Sequence, residues 1–589
     1  MPDEPWVPFY GDIPASITYP DLTMYELFSR AAGEYASHVA VEYLGERITY
    51  GRLRGLVDAA AHGLWAIGVR SGDHIALILP NMPHAAVLLY AANRIGAVTS
   101  LFHAESDAAE FAGRIRDLEP SWIVVTDEHV NGLIRLLAAT SVSGVVRCSY
   151  ADFGTPRRIR RLQRMRQRQN LDLGGIRGAA APRGGPSVNG EAPPLFSWRS
   201  LVELGVSSEI PKHRELHVPD ELALVLYTGG TTGNGTGVMH EDRQLTAVAL
   251  QTQVQGPLLA GQSVLSAVPL SHGYGIAVSV HAALTAGATS IMVPHGTVRS
   301  FARTIRRTQP EYLIGVPPTF AGLVRDRVFR HSRHRSLMGA FCGGDRLPRA
   351  VRDRFDEVVR RRGGAIRLRE GYGLTETVTV CATMPETENR PGSVGIPYPD
   401  TLIGIAEPVE TAAGLADAPP AWVEPFEMGE ILVSGPTVMT GYLNNPERTA
   451  RVMHADGEGR FWLRTGDLGR MDEDGFLYFI ERMGRSAAQG GRVVHPGLTE
   501  LALCEHEAVL ESCVTMDYSR EHAHLTAHVA PVDRELDTRW LEEQLREALS
   551  SLEAAQQPQR YAFHEQLPRT RAGVIDHRRL SVVLEVALR

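Results

Sequence analysis

Short apolar runs alternate with longer stretches of helical period along most of the chain. "HIALILP" (His74 to Pro80) reads as a buried strand, "HAAVLLYAANRIGA" as a helix ended by Gly96, and "VTSLF" as the next strand. "SWIVVTD" and "SGVVRCS" continue the series. It resumes at Leu222 with "LALVLY" and runs on through "SVLSAVPLSH", "TSIMVP" and "YLIGVPPTF". This alternation predicts doubly wound α/β layers. Between 400 and 480 the pattern shifts to short strands and turns, "GEILVSGP" and "DEDGFLYF", which predicts a β-rich subdomain. Toward the end, "HAHLTAHVA" reads as a strand and "DTRWLEEQLREALSSL" as an amphipathic helix capped by Asp537, together a small α+β module.

The expected fold class is therefore α/β. A large N-terminal domain of doubly wound layers plus the β-rich subdomain spans 1–482, and a small mobile α+β domain spans 483–589. The stretch at about 157–195, basic and then rich in Gly, Pro and Ala, reads as a solvated helix followed by a flexible insertion, in preference to an anion-binding arm.

A chain of 589 residues is too long for one core. Its net charge of −8 gives no reason to expect nucleic acid as a partner. No apolar run approaches the roughly 18 residues needed to span a bilayer, and the acidic, Pro-rich start has no basic and apolar leader pattern. The five cysteines have neither paired nor metal-ligand spacing, so the expected setting is reducing and cytoplasmic. Lys212 is the sole lysine, while arginine is abundant.

That imbalance matters at "YTGGTTGNGTGVMH" (Tyr227 to His240). A Gly- and Thr-rich run leaving an apolar strand can point its backbone N–H groups and hydroxyls at phosphate oxygens. "EGYGLTET" sets Thr375, a hydroxyl for a phosphate, beside Glu376, a carboxylate able to hold Mg²⁺. "LRTGDLG" offers Asp467 to the two hydroxyls of a ribose. "VPLSHGYG" brings His272 to a strand end.

Together, and in this order, these stretches resemble the adenylate-forming superfamily of acyl-CoA synthetases, peptide-synthetase adenylation domains and luciferases. The resemblance covers nearly the whole chain, and the beginning is most similar to fatty-acid and aryl-acid CoA ligases. It implies two half-reactions: a small-molecule acid and ATP give acyl-AMP and pyrophosphate, and the acyl group then passes to a thiol, that of coenzyme A or of a carrier protein. By the same resemblance Thr228, Gly229, Gly230, Thr231, Thr232 and Gly233 would wrap the β and γ phosphates. Tyr372 would lie against adenine, with Gly343, Gly344 and Asp345 along its side. Thr375 would touch the α-phosphate, Glu376 would hold Mg²⁺, Asp467 and Arg482 the ribose, and His272 would border the acid.

Two of the family's lysines are replaced. Gly235 and Thr236 stand where the phosphate loop carries Pro-Lys, and Val574 stands where "AGVIDH" should carry the lysine that steadies both reacting anions. The hinge position is read as Arg485. Removing one such preorganised donor costs on the order of 3–4 kcal/mol, about 10²- to 10³-fold in rate. Three outcomes stay open: a weakened or specialised acid-activating enzyme, an enzyme that uses only a preformed acyl-adenylate, and a non-catalytic binding protein.

Overall fold

The computed structural model describes residues 4–581 apart from 105, 107, 131–132, 134–136, 138–139, 169–192, 212–216, 230–234, 295, 409–419, 490–491, 518–523, 534 and 571–573. Two large sheets form the N-terminal domain. The first runs in the order Gly441–Tyr442, Gly237–Glu241, Leu222–Tyr227, Val98–Phe102, His74–Ile78, Trp122–Thr126, Gly144–Cys148 and Leu195–Ser197. It is parallel from Leu222–Tyr227 outward to Leu195–Ser197. Val98–Phe102 and Trp122–Thr126 are buried at every position, as strands covered on both faces must be, which is why they read as unbroken apolar runs.

The second sheet is parallel through its centre, where Leu368–Gly373, Gly339–Cys342, Tyr312–Gly315, Ser263–Ser266 and Thr289–Met292 lie side by side. The helices Met24–Glu34, Tyr50–Ala66 and Pro83–Arg94 fill the main core between the layers. Pro83–Arg94 is buried along nearly its whole surface, so its sequence is apolar all round rather than on one stripe.

The change of pattern after residue 400 corresponds to a mostly antiparallel five-stranded sheet of Leu402–Ala406, Gly429–Ser434, Phe461–Met471 and Met453–Ala455, with Leu477–Arg482 paired to Phe461–Met471. The small C-terminal domain has its own three-stranded sheet, Val509–Asp517, His524–Pro531 and Arg560–Phe563. Leu541 and Leu545 of the helix Thr538–Ala548 close its core, and the Asp537 side chain accepts from Arg539 N at 2.9 Å as that helix's cap. Arg346 ties the two domains together by donating to Ile480 O (2.7 Å) and Gly497 O (3.1 Å).

The basic part of the expected insertion is the helix Pro156–Arg168, with Leu162 turned inward, and 169–192 lie outside the described residues. Among the described residues no helix is long and apolar enough to cross a membrane. All five cysteines are buried and free of disulfides. Arg485, expected as the hinge, is held within the C-terminal domain: it donates to both Glu500 oxygens, at 3.0 and 2.6 Å, and to Val514 O at 3.1 Å. The preceding Gly484 takes φ +90° with open space where a Cβ would stand, the backbone freedom a pivot needs.

Candidate active site

The strand Leu222–Tyr227 ends at the Gly/Thr-rich turn, and the chain returns as Gly237–Glu241. The mouth of the turn is closed by backbone and side chain together. Thr228 N donates to Thr236 O (3.0 Å), and Thr236 N donates to Thr228 Oγ1 (3.1 Å). Gly235 sits at φ +69°, and a Cβ there would stand 2.4 Å from Thr228 O, so this corner admits only glycine. Gly229 is exposed at the start of the turn, while Gly230, Thr231, Thr232 and Gly233 lie outside the described residues.

Beside the turn, the strand Leu368–Gly373 delivers Tyr372 and runs into the short helical turn Thr375–Thr377. Val378, immediately after, takes φ 61° and ψ −53°, and Thr379 N donates to Thr377 O at 2.6 Å. This is a γ-turn of positive φ on a β-branched residue, a strained arrangement of the kind found at functional sites. Two neighbours hold it. His240 is fully buried and its Nε2 lies 2.9 Å from Thr375 O, while a Cβ on Gly273 would stand 1.8 Å from Val378 O. Gly273 thus carries His272 directly against the turn.

Opposite, the long strand Phe461–Met471 presents Asp467 next to Arg482, its cross-strand partner. Tyr372 donates to Asp467 Oδ2 at 2.8 Å. Arg482 Nε stands 3.0 Å from Oδ1, an ion pair without the alignment of a hydrogen bond, so among the described residues the buried Oδ1 accepts no hydrogen bond. Burial is the main influence on Asp467 and raises its pKa, against the opposing pull of Arg482 and the Tyr372 hydroxyl. Arg482 in turn is raised, mainly by Asp467. Glu430 shapes the loop by accepting from Arg464 and from Gly466 N (3.1 Å).

Glu376 is buried, and Tyr442 donates to its Oε1 at 2.8 Å. Its charge acts on both Asp467 and Arg482, which places the three groups within one field. Among the described residues no cluster of three His, Cys, Asp or Glu side chains could cage a metal. An ion at Glu376 would therefore draw most of its oxygen ligands from phosphate and water, the usual arrangement for Mg²⁺.

Gly343, Gly344 and Asp345 follow the strand Gly339–Cys342, which pairs with Leu368–Gly373 and so brings them beside Tyr372. Gly344 takes φ +85°. Asp345 is raised in pKa, first by burial, and its Oδ2 accepts from Ile575 N of the C-terminal domain at 3.2 Å. Val574 therefore reaches the edge of the site. It is 37% exposed, on a turn closed by Thr570 N to Val574 O at 2.8 Å. Arg569 pairs with Glu511 at 2.7 Å and stands 4.0 Å from Asp345.

His272 is exposed, and desolvation by the protein around it lowers its pKa. Below it the chain makes a wide π-type helix, Tyr274–Ala282. Tyr274, Tyr312, Phe341, Tyr398 and Val380 line an apolar cavity there. Gln255 Nε2 and Thr252 Oγ1, also in its lining, are buried without a hydrogen-bond partner among the described residues.

Tyr372, Asp467 and Arg482 thus stand in direct contact, Glu376 acts on the latter two, and Thr228 closes the neighbouring turn with Thr236. Sequence reasoning passed over His240, Tyr442 and Arg448, the last two in "GYLNNPERTA"; a glycine-tyrosine pair ahead of an Asn-capped helix was the available signal.

A long-chain-fatty-acid–CoA ligase of Bacillus subtilis (strain 168) is 29% identical to the chain over 588 residues, covering 98% of this chain and 97% of that protein. A probable 4-coumarate–CoA ligase 2 of Dictyostelium discoideum is 26% identical over 487 residues, 82% and 78% of the two chains. Among solved structures, an anthranilate CoA ligase, AuaEII, in complex with anthranoyl-AMP superposes with a TM-score of 0.76 at 19% identity, covering 98% of this chain and 99% of that one. ATP-bound MatB from Rhodopseudomonas palustris gives 0.75 at 21%, covering 96% and 100%. The sequence pattern of the AMP-binding enzyme family matches residues 28–443, well over half of the chain, and the chain belongs to that family of adenylate-forming enzymes.

Proposed function

We propose that this chain activates a carboxylic acid with ATP as an acyl-adenylate and passes the acyl group to a thiol, that of coenzyme A first among candidates. The observation carrying this is the buried Oδ1 of Asp467, ion-paired with Arg482 but accepting no aligned hydrogen bond among the described residues, beside Tyr372 and in the field of Glu376. A buried acceptor without a donor costs free energy until something donates to it. A ribose hydroxyl is a fitting donor, and Arg482 then holds the carboxylate ionised. Tyr372, Gly343 and Gly344 flank the base, and the Thr375 hydroxyl meets the α-phosphate. A carboxylate oxygen of the acid attacks the α-phosphorus and pyrophosphate leaves; a thiolate then attacks the acyl carbon and AMP leaves. Glu376 would hold Mg²⁺, which would supply positive charge at the phosphates. The segment from residue 483 onward serves as the lid, with its pivot at Gly484.

The acid enters past His272. Aromatic walls from Tyr274, Tyr312, Phe341 and Tyr398 favour a compact, aryl-sized body. Gln255 Nε2 and Thr252 Oγ1, without a partner among the described residues, favour a hydrogen-bonding substituent on it, since a buried amide or hydroxyl left unpaired costs about 1–3 kcal/mol. The names of aryl-acid relatives point the same way.

The reading with only the second half-reaction has its own support. Val574 cannot donate, and the arginines at 485 and 569 are already bound to carboxylates. Single-turnover adenylation separates the two. Wild type and Val574→Lys should be compared for pyrophosphate release with hydroxylated and aminated aryl acids and with long-chain fatty acids, and for consumption of synthetic acyl-AMP by coenzyme A. Val574 is exposed, so lysine is tolerated there, and a restored donor is worth up to about 3 kcal/mol in the adenylation step. A gain in that step alone supports the full reaction. Turnover of acyl-AMP without pyrophosphate release from either protein supports the second reading.

A further inference from the structure

Thr236 occupies the position of the missing phosphate-loop lysine, and it has a cationic partner. Arg448, in the helix Pro446–Val452, donates from Nη1 to Thr236 Oγ1. The same guanidinium lies over the Tyr442 ring, 4.4 Å from its centroid, and Tyr442 donates to Glu376 Oε1. One arginine therefore joins the mouth of the Gly/Thr turn to the tyrosine that donates to the carboxylate beside it. Resting on the reading of this cluster as an ATP site, we propose that Arg448 supplies the cation for the β and γ phosphates that this loop's own sequence lacks.

The state of its charge supports this. Arg464, Arg482, Arg485 and Arg569 around the site each face a carboxylate. Arg114 also approaches the turn, with Nη2 3.7 Å from where a Gly235 Cβ would stand, but it is paired with Glu110 at 2.6 Å and packed against Tyr227. Arg448 has no carboxylate within ion-pair distance among the described residues, and Thr236 is its side chain's hydrogen-bond partner.

A guanidinium carries five N–H donors, so one spent on Thr236 leaves a fork for phosphate oxygens. The threonine hydroxyl then has a function of its own: it accepts from the arginine and aims it, where a lysine at 236 would repel it. Stacking on Tyr442 restricts the side chain further and lowers the ordering cost of each contact. The arginine is exposed, as a group that must meet an entering ligand has to be.

The test is calorimetry of the full chain with ATP and with AMP. Arg448→Ala should weaken ATP by about 10- to 100-fold, the range for a lost charge-assisted contact, and leave AMP unchanged. Arg448→Lys should retain part of the ATP affinity, and Arg448→Ala with Thr236→Lys should recover most of it. Equal loss for both nucleotides, or no loss for either, overturns the assignment of Arg448 while leaving the nucleotide site standing. A wild type that binds neither ATP nor AMP overturns the nucleotide reading itself and this assignment with it. Asp467→Ala provides the contrast, since it should weaken both nucleotides alike.

Discussion

His240 offers a direct check on how the Thr375–Glu376 turn is held. Its ring is fully buried, Nε2 meets Thr375 O at 2.9 Å, and Nδ1 has no partner among the described residues. The neutral ring with its proton on Nε2 satisfies this environment. A second proton would put a charge and an unpaired donor into the core, and burial pushes the pKa down from 6.5 to about 4. The unfolded chain takes up that proton from pH 6.5 downward, the folded one only near 4. The stabilisation by neutral His240 is therefore complete above 6.5, is lost as pH falls through the interval, and has gone below about 4.

Over the whole interval this amounts to about 3 kcal/mol, and between about pH 8 and about pH 5 to about 2 kcal/mol. His281, lowered to about 3, and His528, lowered to about 4, act in the same direction, so the useful quantity is a difference between proteins. His240→Gln keeps a donor near Thr375 O and cannot titrate. Urea unfolding followed by tryptophan fluorescence should show wild type losing about 2 kcal/mol more than the variant on going from about pH 8 to about pH 5. Parallel pH curves for the two proteins would refute the assignment of a neutral, turn-holding His240.

On the proposed reading, the ribose hydroxyls donate to an ionised Asp467, whose pKa is raised by burial. AMP affinity should thus decline as pH falls through a value above the ordinary aspartate range. Arg482→Gln, which removes the group pulling that pKa back, should move the decline to higher pH; calorimetry across pH with an unmoved midpoint would contradict the pairing. Gly273→Ala forces a methyl toward Val378 O, only 1.8 Å from its ideal position. It should displace the γ-turn and cost more in adenylation, read as pyrophosphate release, than in the urea midpoint, by at least about tenfold in rate. Equal modest losses in both would mean the loop simply yields.

The order of elements was legible from the chain because strands such as Val98–Phe102 and Trp122–Thr126 are buried at every position, while the helices carry 3.6-residue periodicity or complete burial. "HIALILP", "VTSLF" and "SWIVVTD" could pair only inside a covered parallel sheet, and the cap at Asp537 marked a helix start by itself. The motif residues were legible too, as local spellings of turns: Thr375 and Glu376 are neighbours in sequence, and so are Gly343 and Gly344. The chain also fixed two absences, a lysine at 236 and one at 574.

Only the tertiary structure decided what stands around those gaps. Arg448 lies far from Thr236 in sequence, and no local period links them; they meet because Gly441–Tyr442 pairs with Gly237–Glu241 at one sheet edge. His240 looked like one more strand residue until Thr375 O was seen against it. The Asp467 oxygen that accepts no hydrogen bond among the described residues and the commitments of Arg485 and Arg569 to carboxylates are likewise properties of long-range packing. Patterns of burial are written residue by residue, whereas hydrogen-bond partners and unpaired charges exist only between segments that folding brings together.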